Sequence, residues 1–371
     1  MRSHLSPEKI ELSRHLFGKA DDVPAFFSLY DDLLRNETDF IVNIDPEDAK
    51  PLSEREVILM TSLIKTHPAM TKEDVVKKVK TSFGINRSTE KIDSLINISV
   101  QLVSMADCNA GDHHSSDYSL GGFRPISWVH GESFLGFMER SFPMSKDPSI
   151  QEKAEAAVDE KAALKAWKLR NRFGIKFRGT HNLSEHLLLD PKSNSLYLFH
   201  HVGFLKAQLE KARDEQQPLG QHMEESLKSG NLPPQLLVET LHSLQSILFQ
   251  SIDRKSADIL DDLIGKRRGA FDRECAEYEG YILFHSPPED FKYVYWAERL
   301  SILQDMITSR PPRNKFERWL HRQSNEGSAL YVALVALFIS ILVGIISIGL
   351  GAIQVWIAWM AWKYPVPEPS G

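Results

Sequence analysis

The chain has 371 residues, 44 of them Lys or Arg and 50 Asp or Glu, for a net charge of −6, with two cysteines. Six of the basic and three of the acidic residues lie beyond position 309, so residues 1–309 carry a net −9. That balance excludes the strongly basic footprint of a general nucleic-acid binder, and two cysteines exclude a disulfide scaffold.

Residues 1–50 read as a helical lead-in. Asp22 and Pro24 stand as cap and first turn before AFFSLYDDLL (Ala25 to Leu34), whose apolar residues have helical spacing. Residues 51–146 predict a helical, winged-helix-like domain. Ser53 and Glu56 have capping-box spacing before VILMTSLI. Thr71 opens a second helix that Gly84 closes, and Ser88 or Thr89 opens a third with Ile92, Leu95, Ile96, Leu102 and Val103 inward. FRPISW is expected to supply a wing strand before a helix from Glu132 to Arg140. Lys72, Lys77, Lys78, Lys80 and Arg87 leave nucleic-acid binding open. The third helix, however, offers Glu90, Lys91, Asp93, Ser94 and Asn97, a poor major-groove reader, and a fold used for protein contacts is the plainer reading. Asp107, Cys108, Asp112, His113 and His114 lack the paired spacing of a zinc site, so no metal ligand is assigned.

Residues 147–166 are charged, Ala-rich and free of aromatics until the following Trp167, and are read as a linker or exposed helix. Residues 167–309 then form a second α+β domain. GIKFRGT and SLYLFH predict strands, with a possible third in YEGYILF. Asn182 and Glu185 have capping-box spacing for a helix over LSEHLLL, ended by Asp190-Pro191. Helices are expected over VGFLKAQLEK, residues 234–250 and 255–267, and Phe291 to Ile307. His181 and His186 fit an ordinary polar surface, and His200 a satisfied core position. Phosphate loops, dinucleotide folds, metalloprotease helices, nucleophile elbows and kinase motifs are missing, so neither a catalytic residue nor a cofactor is assigned.

Residues 310–328 form a basic neck with Arg310, Arg313, Lys315, Arg318 and Arg322. Ala329 to Trp362 then runs 34 positions without a charged side chain. A bilayer core of ~30 Å needs about 20 apolar residues as a helix, so residues 329–362 predict a transmembrane anchor, one tilted helix in preference to a hairpin bending at Gly349 and Gly351. Trp356, Trp359 and Trp362 form an aromatic belt, and residues 363–371 a short tail. Ser340, Gly344, Ser347 and Gly351 make a small-residue stripe that could pair two helices. Basic residues ahead of the span, with only Lys363 just behind it, keep the body in the cytosol by the positive-inside rule. The acidic body is not expected to bind anionic lipid, while the neck is. The organelle is left open.

GIKFRGTHNLSEHLLLD with SLYLFHHVGFLKAQLE, DFKYVYWAERLSILQDMITSRPP and the terminal apolar run together resemble a set of fungal C-terminally membrane-anchored proteins of uncharacterised activity. The resemblance covers most of residues 50–362 and implies the same plan and a fungal source, but no reaction. No Gly-Met-Asn tripeptide of the magnesium-transporter family with a C-terminal hairpin occurs. The expected function is a non-enzymatic, single-pass membrane protein whose body binds a protein partner. The alternatives are a membrane-tethered nucleic-acid-binding regulator and an enzyme with an unrecognised site in the second domain.

Overall fold

A computed structural model describes residues 5–39, 50–83, 87–110, 122–157, 164–265, 271–278, 291–308 and 328–363. The chain divides into two units, residues 1–309 and 310–371.

The first unit opens with α1 (Pro7–Phe17) and α2 (Pro24–Asp39). In α3 (Glu54–Thr66) both bonds of the Ser53–Glu56 capping box are present. Thr71 caps α4 (Lys72–Ser82) and Ser88 caps α5 (Thr89–Ser104), at the positions their sequence signals indicate. α6 follows as Phe134–Ser141. FRPISW forms no strand. Pro125 lacks the N–H a ladder needs, and Trp128 is held instead by its N–H to Cys108 O (2.8 Å) and its indole to Glu132 O (2.9 Å).

α7 (Pro148–Ala156) lies in the segment read as a linker or exposed helix. Its Ala154 is buried, as are Ala157 and Leu164 beyond it, and Lys153 reaches Asp305 at 2.8 Å. One continuous core runs from Leu12 to Leu303, across the boundary expected at 147–166. Small alanines on one face let that helix bury itself despite its charged opposite face.

α8 (Ala166–Phe173) leads into a three-stranded sheet of order β1-β3-β2. β1 (Lys176–Thr180) pairs in parallel with β3 (Ser195–Phe199), with Thr180 opposite Phe199. β2 (Leu189–Asp190) is antiparallel to β3. The helix expected over LSEHLLL is absent. Only a single 3₁₀ turn forms at Leu183–Glu185, and Leu187 turns the chain at φ 61°. The Glu185 carboxylate accepts from Thr180 Oγ1.

α9 (Val202–Asp214), α10 (Met223–Lys228) and α11 (Pro234–His242) complete the central packing, and α11 continues into a π-helical turn at Ser243–Leu248. α12 spans Arg254–Ile264 and α13 Ala297–Thr308. α13 starts six residues later than its apolar pattern suggests. The buried Glu239 carboxylate takes the N–H groups of Val294, Tyr295 and Trp296 at 2.8–2.9 Å, holding that approach out of the helix. The third strand sought in YEGYILF lies, past Tyr278, outside the described residues.

In the second unit, α14 (Ser328–Lys363) is one unbroken helix through Gly349 and Gly351. Its window Leu337–Met360 has mean hydropathy 2.3 and is long and apolar enough to cross a membrane. Ser340, Gly344, Ser347 and Gly351 fall within a narrow stripe of the helix surface, because steps of four, three and four keep one face. Trp356 and Trp359 are exposed, and Lys363 Nζ lies 4.7 Å from the Trp359 ring. The side chain of Trp362 and the neck residues Arg313, Lys315, Arg318 and Arg322 lie outside the described residues.

Candidate functional site

Parallel pairing brings the carboxyl ends of β1 and β3 together, the usual place for a ligand cleft beside parallel strands. Here it sets His181, which follows β1, beside His200 and His201, which follow β3. The three rings border a cleft of about 630 Å³ that α2 and the segment Phe271–Glu277 close on two sides. Asp22, Asp32, Asp272 and Glu274 also line it.

Local packing fixes each imidazole. The His200 ring stacks between His201 (centroids 4.4 Å apart) and Phe271 (5.3 Å). It fits only because residue 179 is glycine. A Cβ there would stand 2.9 Å from His200 Cδ2 and 3.2 Å from Phe271 Cε1. Gly179→Ala should therefore cost about 1–3 kcal/mol of stability, read as a lower urea midpoint. An unchanged midpoint would show that the two rings yield freely.

The proton positions follow from the partners. Asp272 N–H donates to His200 Nδ1 at 3.3 Å, which leaves the His200 proton on Nε2. His181 Nδ1 and His201 Nε2 share one hydrogen bond of 2.7 Å. His201 Nδ1 is buried without a hydrogen-bond partner among the described residues. Burial holds His200 at about 3, with His181 adding to the effect, and His201 well below normal, with His200 and His181 adding; His181, more open to solvent, is lowered in the same direction by partial desolvation. All three are neutral at pH 7.

One ring nitrogen from each histidine lies within 4.8 Å of the others, the one group of three among the described residues that could converge on a metal ion. The arrangement fits a hydrogen-bonded set better. Two nitrogens 2.7 Å apart are closer than tetrahedral zinc ligands at about 2.0–2.1 Å would stand, and a protonated Nε2 is a donor, not a ligand. Chemically the cleft presents exchangeable imidazole donors and acceptors under a rim of carboxylates.

His186 overturns the expectation of a polar surface. It is fully buried, accepts the Phe199 N–H on Nδ1 (3.2 Å) and meets Ser243 Oγ through Nε2 (2.7 Å), which leaves no role in the cleft. His200, 3% exposed and bonded, matches its core reading, yet its ring borders the cleft. Cys108 is buried against Asn97, with its thiol pushed up to about 12 by burial, and Asp107 accepts from Asn109 N–H. Asp112, His113 and His114 lie outside the described residues. His201, Asp272 and Glu274 were not singled out by spacing. The paired histidines at the end of an apolar strand were the available signal, but the register to β1 was not readable.

Comparison with protein-family models, with curated proteins and with solved structures finds no match. Fold and site define a class only: a mainly helical body with a small mixed sheet and a C-terminal apolar helix able to span a bilayer.

Proposed function

We propose that the chain is a single-pass membrane protein whose cytosolic body, residues 1–309, engages a protein partner at a membrane surface. The observation that carries this reading is α14: 36 residues, about 54 Å of helix, with charge only at Lys363. The basic neck supports the cytosolic orientation, and the small-residue stripe supports self-association of the anchor. Use of α3–α5 as a winged-helix-like contact module suits their capped geometry. Against a nucleic-acid reader stands the burial of α5 from Ile98 to Ser104. Arg87 is committed to both oxygens of Glu56 at 3.0 Å, and Lys72 is buried beside Asp93.

The full chain is expected to stay in the pellet after alkaline carbonate extraction, and a truncation after Ser309 to become soluble. Release of the full chain by carbonate would refute the anchor. The partner half of the reading is tested by affinity capture of the full chain in detergent. A partner retained by a chimaera that keeps only the neck and anchor would refute it.

The cleft favours a second reading, an enzyme with its site at His181 and His200 beside Asp272. There His181→Ala would abolish a turnover that the intact protein shows. No turnover by the intact protein across hydrolytic and proton-transfer substrates would remove the case.

A further inference from the structure

The net −9 of residues 1–309 conceals a basic strip. Between Glu160 and Glu185 the chain carries Lys161, Lys165, Lys168, Arg170, Arg172, Lys176 and Arg178 and no acidic residue. The fold turns most of this run to one region. α8 carries Lys168, Arg170 and Arg172, and β1 carries Lys176 and Arg178 on its solvent face, with all of these but Lys168 exposed. Among the described residues β1 is an edge strand, paired only with β3. Between its open side and α12 lies a cleft of about 410 Å³, lined by Arg170, Lys176, Arg178 and Asp262 over an apolar floor of Ile175, Ile259 and Leu263. Asp262 is the lone acid in it, 3.7 Å from Arg170, and both side chains are about half exposed or more. Trp167 stands at the border with Lys255 Nζ 4.9 Å and Arg172 5.8 Å from its ring.

We propose that this strip, centred on the cleft between β1 and α12, binds the phosphate groups of anionic lipid headgroups. The proposal rests on the anchored reading only for its choice of a bilayer over other phosphate sources. Cations held about a cleft with one competing carboxylate attract a phosphate, and the guanidinium groups of Arg170 and Arg178 match its paired oxygens. Burial and the neighbouring Lys165 and Arg172 charges lower the Lys168 pKa, which a bound anion would relieve. Charge guarding of an edge strand accounts for Lys176 and Arg178 alone, but not for the cations of α8. A helix and strand bordered by a half-buried Trp suit the headgroup region, where a ring with a polar edge is stable. The expectation that only the neck meets anionic lipid is thereby revised.

The test uses the full-length chain in nanodiscs of phosphatidylcholine alone and with about 30% phosphatidylserine. Amide exchange over residues 165–179 should slow about fivefold or more in the anionic discs. It should return to the neutral-disc rate at about 0.5 M NaCl and in the surface variant Arg170→Gln/Arg172→Gln/Arg178→Gln, whose thermal unfolding should match the parent. Equal exchange in the two discs, or protection that survives the triple variant, overturns the proposal. The same protection from excess inorganic phosphate in neutral discs makes this a free-anion site, and protection by poly(U) instead of lipid makes it a nucleic-acid site. Either result overturns the lipid assignment. Failure of the chain to enter discs would refute the anchor alone. The strip would then be read by co-flotation with phosphatidylserine vesicles, where loss of binding in the triple variant supports it and no binding overturns it.

Discussion

Acidification from pH 7 to about 4.5 is expected to strip a few kcal/mol from the stability of residues 1–309. His186 and His200 titrate near 3 in the fold, first because burial disfavours the cation, against 6.5 when solvated. Between those values the unfolded chain binds more protons, so stability is fully present above about pH 6.5 and is lost as pH falls toward 3. At pH 4.5 each of the two contributes a loss of about 2–3 kcal/mol. His201, lowered for the same reason, and His15 and His242, each lowered to about 4, act in the same direction. Glu239 opposes them. Burial raises its carboxyl to about 7, so its folded form gains as pH falls through that value toward 4.5. Glu54, Asp272 and Glu274, raised by burial, share its sign, so the imidazoles prevail by only a few kcal/mol, still a sizeable part of the roughly 5–15 kcal/mol that holds a typical domain. Urea midpoints of the detergent-solubilised chain at pH 7, 6 and 5 should fall in that order. A flat series would mean that the imidazoles are solvated and the packing around β3 is looser than described.

Glu239→Leu is expected to cost about 3–5 kcal/mol. The carboxylate is fully buried and ties α11 to the start of α13 by accepting three main-chain N–H groups, while Gln235 Nε2 donates to it at 2.8 Å. Leucine fills similar volume but strands those donors away from water, and each stranded donor costs about 1–3 kcal/mol before relaxation. Glu239→Gln keeps one acceptor oxygen and removes the buried charge, so its cost should be less than half as large. The pair of urea midpoints tests this. Equal midpoints for the Leu variant and the parent would show that water reaches Val294–Trp296.

Local signals were readable where the physics is local. Ser53 with Glu56, Thr71 and Ser88 each satisfy the N–H three residues ahead, so these helix starts could be placed from spacing, the third to within Ser88 or Thr89. The same spacing misled at Asn182. There Glu185 accepts from Thr180, Asn182 caps a single turn through Ser184 N, and the sheet takes the chain next: Leu187 N–H donates to Tyr197 O and Tyr197 N–H to Leu188 O. A capping box two residues past a strand competes with sheet pairing, and the sheet has more bonds to offer.

The sequence by itself determined the apolar span, because 34 uncharged positions need no partner to demand a non-aqueous surrounding. It also determined the strands β1 and β3 and the capped helices of the first hundred residues. Only the tertiary structure decided the histidine cleft, the clamp at Glu239, the burial of His186 and the packing of α12 beside the basic run of α8 and β1. Each of these joins residues tens of positions apart or depends on the parallel register of two strands. Contacts of that separation are set by which surfaces the whole core buries, and a one-residue slip of register would send His181 elsewhere.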